Sequence, residues 1–135
     1  MAKAVKVSVL VKQYQLEVVA GADGLSRSIT VDDLHRPGLE MAGYFDHFPS
    51  ERIQILGRTE LTFFQTLGAE VRKERVDRLF RDETPCFIVT RGLEVPGELI
   101  EQANLKKIPV LRSTMATTYL ISKMTGFLEQ RLAPT

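Results

Sequence analysis

Two short segments place a cation beside small hydroxyl or glycine residues in a way that suits anion binding. Thr90-Arg91-Gly92 follows the apolar run Cys86-Phe87-Ile88-Val89, and Arg112-Ser113-Thr114 follows Ile108-Pro109-Val110-Leu111. An arginine offers a planar fork of donors that matches phosphate or carboxylate, and a capped helix start adds backbone N–H groups. In an open parallel sheet, ligands bind beyond the carboxyl ends of the strands. The spacing therefore predicts an anion site from Arg91, Arg112, Ser113 and Thr114, with Arg36 as a further candidate from a separate stretch. The plainer alternative is that Ser113 or Thr114 only caps a helix while the arginines are surface charges.

Other chemistry is poorly supplied. No Gly-x-x-x-x-Gly-Lys-Ser/Thr, Gly-x-Gly-x-x-Gly or Gly-x-Ser-x-Gly pattern occurs. A zinc site would need several carboxylates beside the single Cys86 and the two histidines, His35 and His47. Cys86 opens an apolar run, which favours an inert buried thiol over a nucleophile. His35 and His47 lie in a stretch rich in glycine, proline and aromatics, and are read as turn or surface hydrogen-bonding residues. Tyr44, Phe45 and Phe48 are read as packing rather than a base-stacking platform.

The elements that must position these residues read as α/β. Val5 to Val11 alternates like a strand, yet Val7, Leu10, Val11 and Tyr14 also follow helical spacing. A helix over 8–14 is expected, then a strand at Leu16 to Val19, a turn at Gly21-Ala22-Asp23-Gly24, and a short strand at Ile29 to Val31. Thr59 is the expected N-cap of a helix carrying Leu61, Phe64 and Leu67, with Gly68 at its C-terminal end. The charged run 70–83 predicts a second helix with Val76, Leu79 and Phe80 inward, its face solvated and laced by Glu74–Arg78 and Asp77–Arg81 pairs. Cys86 to Thr90 and Ile108 to Leu111 are the expected buried strands. Pro96 is expected to open the helix between them, and Ser113 or Thr114 to cap a long last helix. Strand, helix, strand, helix predicts a parallel unit. The result is one small domain with a short, mainly parallel sheet flanked by helices.

Composition bounds the partners. Net charge is +1 and the charges are interleaved, which gives no electrostatic case for nucleic acid or an anionic membrane. No apolar run reaches the ~18 residues of a membrane span. One cysteine fits a reducing cytoplasm.

Longer patterns point further. Leu16-Glu17-Val18-Val19-Ala20-Gly21, Arg36-Pro37-Gly38-Leu39-Glu40 running into Ala42-Gly43-Tyr44-Phe45, and Pro49-Ser50-Glu51-Arg52-Ile53-Gln54-Ile55-Leu56-Gly57-Arg58-Thr59-Glu60-Leu61 resemble the N-terminal domain of bacterial HPr kinase/phosphorylase. Ile108 to Ser113, Thr117-Thr118 and Leu128 to Pro134 extend that resemblance over essentially the whole chain. It implies an α/β domain similar to the substrate-binding domain of the muramyl-peptide ligases. It also implies a parent enzyme, usually a homo-hexamer, that phosphorylates a serine of the phosphocarrier HPr with ATP or pyrophosphate and magnesium. The same enzyme removes that phosphate by phosphorolysis, in carbon catabolite repression. In that family the P-loop, the catalytic residues and the HPr contacts lie in a C-terminal domain, absent from residues 1–135. No catalytic residue and no cofactor are therefore expected here, and the chain is expected to be inactive alone. Its expected partners are its own C-terminal kinase domain and other subunits.

Overall fold

In the computed structural model, which describes residues 3–134, the chain builds a mixed five-stranded sheet with helices on both faces. The elements run β1 (Val5–Lys6), α1 (Val7–Tyr14), β2 (Glu17–Ala20), β3 (Ser28–Ile29), β4 (Leu34–His35), α2 (Gly38–Met41), β5 (Ile53–Leu56), α3 (Arg58–Gln65), α4 (Ala69–Leu79), β6 (Phe87–Val89), α5 (Gly97–Lys106), β7 (Val110–Arg112) and α6 (Thr117–Leu132). The sheet order is β2-β7-β6-β5-β4. Strands β4, β5, β6 and β7 are parallel, and β2 adds an antiparallel edge. The expected parallel strand pair is β6 and β7, joined through α5.

The two faces bury different sets. On one, Phe64, Val76, Leu79, Leu99 and Ala103 from α3, α4 and α5 pack on Leu56, Phe87, Val89 and Val110. On the other, Val7 and Leu10 of α1 and Leu120, Met124 and Leu128 of α6 pack on Ile53, Ile55, Ile88 and Leu111. Strands β5 and β6 are therefore buried on both sides, as expected of strands in a covered parallel sheet.

Several local expectations shift. The ambiguous N-terminal stretch forms both elements in turn: Val5–Lys6 pairs antiparallel with Ser28–Ile29 in a separate two-stranded ribbon, and the helix starts at Val7. Gly57, not Thr59, is the N-cap of α3. Glu60 accepts the Gly57 N–H at 2.7 Å, so the acidic residue at N3 satisfies the helix start without a hydroxyl cap. Gly68 opens α4 rather than closing α3, which ends at Gln65 with Thr66 as its C-cap. Pro96 is the N-cap of α5, one residue before the helix. Ala116 precedes α6, while Ser113 accepts the Met115 N–H at 3.0 Å and shapes the loop instead. In α4, Glu74 and Arg78 pair at 3.2 Å, but Asp77 turns to Lys106 of α5 at 3.1 Å. That face is only partly solvated, because Arg72 and Arg75 are half-buried against Glu98 and the Met41 carbonyl, while exposed Arg78 lies 4.0 Å from the Phe45 ring centre.

The turn after β2 is set by close backbone approach. Gly21 has φ +73°, and a Cβ there would lie 2.3 Å from the Ile108 carbonyl oxygen. Its N–H donates to Asn104 Oδ1 at 2.9 Å. The glycine thus lets the antiparallel edge strand reach β7. Gly21→Ala is expected to cost about 1–3 kcal/mol or more through strain at positive φ and the displaced carbonyl, read as a lower urea midpoint with unchanged slope.

Candidate functional site

Successive parallel strands each deliver a residue to the carboxyl edge of the sheet. Arg36 follows β4, Gly57, Arg58 and Thr59 follow β5, Thr90 and Arg91 follow β6, and β7 leads through a short loop to Thr117 and Thr118. Arg36, Arg58, Thr59, Arg91, Thr117 and Thr118 line one cavity of about 350 Å³. It lies where α3 departs for one face of the sheet and α6 for the other.

The edge is held rigidly. Glu60, 6% exposed, takes Arg36 in a two-point contact, Nε to Oε2 at 3.1 Å and Nη2 to Oε1 at 3.0 Å. Thr90 and Thr117 share a buried hydroxyl–hydroxyl bond of 2.7 Å, linking the end of β6 to the start of α6. Arg91 adopts φ +58°, and its N–H donates to the Met115 carbonyl at 2.8 Å. A Cβ at position 57 would meet Thr117 Oγ1 at 2.7 Å and Arg36 Nη2 at 2.9 Å, so a larger residue would have to displace both side chains from the edge.

The five residues expected to form an anion site divide between two places. Arg36 and Arg91 share the cavity above. Arg112, Ser113 and Thr114 line a neighbouring hollow of about 260 Å³ with Tyr14, Gln15, Glu17, Gly92 and Met115. There Arg112 is committed to Glu17 across the antiparallel pair, Nε to Oε1 at 2.9 Å and Nη2 to Oε2 at 3.0 Å, and its Nη1 reaches the Leu93 carbonyl at 3.3 Å. Arg58, Thr117 and Thr118 were not anticipated. The apolar run Ile53, Ile55, Leu56 before Gly57-Arg58 carried the same strand-then-arginine signal as Val89-Thr90-Arg91.

A larger hollow, about 570 Å³, adjoins the Arg cavity across Arg58 and runs between α3 and the start of α5. Leu61, Leu93 and Val95 line part of it, and Arg72 and Glu98 another part, paired at 2.8 Å. Among the described residues, no three of His, Cys, Asp and Glu come together as a metal ion would need. No acidic residue among those described lines the Arg cavity, so its walls supply no carboxylate for magnesium. His35 lies on β4, part-buried, with Nε2 2.9 Å from buried Glu40 Oε1. Cys86 is fully buried, and burial pushes its thiol up to about 12, out of reach of nucleophilic chemistry near neutral pH.

The family described as HPr Serine kinase N terminus matches residues 5–128. The chain belongs to that family. Its curated relatives include the HPr kinase/phosphorylases of Geobacillus kaustophilus (strain HTA426), 57% identical, and Bacillus mycoides (strain KBAB4), 51% identical, each over 126 residues and 93% of this chain. The matched region spans about 40% of the length of those relatives.

In this HPr serine kinase N-terminal domain, the Glu60 contacts and the Arg72–Glu98 pair can be tested separately from any activity. Glu60→Ala is expected to destabilise the chain by about 1–3 kcal/mol, because a buried N–H and a guanidinium lose their acceptor together. Thr59→Ala is expected to stay within about 0.5 kcal/mol, since Thr59 caps nothing. Equal losses in urea unfolding would contradict this assignment of the helix start.

The Arg72 hydrogen bond holds the Glu98 carboxyl below its ordinary value of 4.5. A lowered folded value means the pair's contribution is complete above pH 4.5 and fades as pH falls through the folded value. The stability gap between the native chain and Glu98→Gln should therefore be constant near neutrality and close under acid. A gap that widened on acidification would refute the pairing.

Proposed function

We propose that residues 1–135 serve as the N-terminal regulatory and assembly domain of a longer, bifunctional HPr serine kinase/phosphorylase. The observation that carries this reading is the mismatch in coverage: the match takes in 93% of this chain but only about 40% of relatives named HPr kinase/phosphorylase. The remaining length of such an enzyme would hold the nucleotide cradle, magnesium, the catalytic groups and the contacts to HPr. ATP or pyrophosphate would be used there, in the cytoplasm, by a homo-oligomer acting in catabolite repression. No helix among the described residues is long and apolar enough to cross a membrane.

An assembly role is supported by the surface between α2 and α3. Leu39 and Phe63 are exposed large apolar side chains, and Phe63 borders a shallow apolar groove with Gly38 and Ala42. The occupant this surface suits is the rest of the same longer enzyme. A regulatory role is supported by an edge that joins four parallel strands and the starts of α3 and α6, because a change there is felt on both faces of the sheet.

The deciding comparison uses the full-length enzyme with and without residues 1–135. Phosphorylation of HPr, phosphorolysis of phosphoserine-HPr and sedimentation would be measured on both. Removal is expected to change the assembly state or the balance of the two reactions, while the isolated 135-residue chain phosphorylates no HPr. Identical kinetics and identical assembly after removal would refute the regulatory reading.

A further inference from the structure

We propose that the arginine-lined cavity at the carboxyl edge of the sheet binds the phosphoryl group of a small phosphomonoester, with Arg58, Arg91 and the first turn of α6 as its main donors. This goes beyond the role in a longer enzyme, since it requires no attached kinase.

Charge is the first support. Arg36, Arg58 and Arg91 line the cavity, and only Arg36 has a carboxylate partner, Glu60, among the described residues. The chain carries a net charge of just +1, so this concentration of cations on one cavity is a local feature. The wall also presents unpaired donors. Helix α6 is 16 residues long, and its first turn has neither a side-chain cap nor an acidic residue, leaving the N–H groups of Thr117, Thr118 and Tyr119 without intrahelical acceptors. The Thr90–Thr117 pair holds two hydroxyl protons and makes one bond between them, so one proton remains to be donated.

The shape selects among anions. A planar carboxylate is satisfied by one guanidinium fork, whereas donors arriving from α6 and from arginines on three strand ends suit a tetrahedral dianion. Arg58 borders both this cavity and the 570 Å³ hollow lined in part by Leu61, Leu93 and Val95, which gives an organic substituent somewhere to lie. Free phosphate would leave that hollow unused. The backbone that carries the donors is fixed before any ligand arrives, while the Arg58 and Arg91 side chains are exposed and free to close on it. Glu60 holds Arg36, the Met115 carbonyl holds the backbone of Arg91, and Arg58 is the first residue of α3.

The test is a titration of the isotopically labelled 135-residue chain with inorganic phosphate and with phenyl phosphate, ionic strength being held by potassium chloride. Saturable amide shifts at Arg91, Thr117, Thr118 and Tyr119 are expected, with phenyl phosphate saturating at the lower concentration. Arg58→Gln and Arg91→Asn, the latter chosen because asparagine tolerates positive φ, should each weaken binding about tenfold or more. Arg112→Gln should leave binding unchanged, because Arg112 is tied to Glu17 in the other hollow. Thr118→Asp places a carboxylate at the start of α6; it should abolish binding while raising the melting temperature, so loss of binding is separated from loss of fold. Shifts that never saturate would overturn the site, as would binding that survives the Arg58→Gln/Arg91→Asn pair or disappears with Arg112→Gln. Tighter binding of free phosphate than of phenyl phosphate would overturn the monoester assignment.

Discussion

Glu60 has two carboxylate oxygens in a nearly dry position, and both are spoken for: Oε2 by the Arg36 Nε, Oε1 by the Arg36 Nη2 and the Gly57 N–H. A buried carboxylate is costly to desolvate and tolerable only when its acceptors are filled. The partners that fill them come from the end of β4 and the end of β5. The same three contacts therefore satisfy the first turn of α3, fix Arg36, and close the sheet edge on which Gly57 must pass within reach of Thr117. The rest of the carboxyl edge follows from that closure. Had Glu60 been replaced by a hydroxyl cap at position 59, the helix could still start, but Arg36 would have no anchor.

The other edge of the sheet is organised by a different constraint. Strand β2 runs antiparallel to β7, and the turn that follows it brings Gly21 and Gly24 against the carbonyls of Ile108 and Lys107, at distances only glycine allows. Arg27 then reaches across to the Lys107 and Asp82 carbonyls at 2.7 Å each. The β2 side is thus sealed by backbone proximity and carbonyl-directed arginine, and the β4 side by a buried carboxylate bound to the half-exposed Arg36. Between them strand β6 is wholly apolar and relies on its ladder and packing, while β5 adds one buried polar side chain, Gln54.

How much of this was legible in the chain depends on how local the cause was. The expected strands Cys86 to Thr90 and Ile108 to Leu111 contain all of β6 and most of β7, because a short apolar run beside proline and polar residues has few other uses. The central strand β5 gives a weaker signal because Gln54 interrupts its apolar run. Gln54 is nevertheless fully buried, with its Nε2 donating to the Pro49 and Arg52 carbonyls at 3.1 and 2.9 Å. That hydrogen bonding belongs to the preceding turn and leaves no periodic signal. Strand β4 and helix α2 are two and four residues long, too short for any periodicity to register. The helix caps misread for a common reason. A hydroxyl at position 59 or 114 looks like a cap by composition, but which residue leaves helical geometry is decided by where the strand ends and how close its neighbour lies.

The same reasoning explains why the arginines separated as they did. Arg91 and Arg112 follow neighbouring parallel strands and looked equivalent. Their difference lies in what stands across from each. Arg112 is the last residue of β7, in register with Glu17 of the antiparallel β2, so a carboxylate faces its guanidinium and neutralises it. Arg91 lies past the end of β6, whose neighbours β5 and β7 are both parallel and lead on to helix starts that need acceptors themselves. Antiparallel pairing at one side of β7 thus uses up a cation, and parallel pairing at the other leaves one available. The charge at this edge is therefore set by strand direction as much as by residue type, and strand direction is a property that Arg91 and Arg112 do not carry in their own flanking sequence.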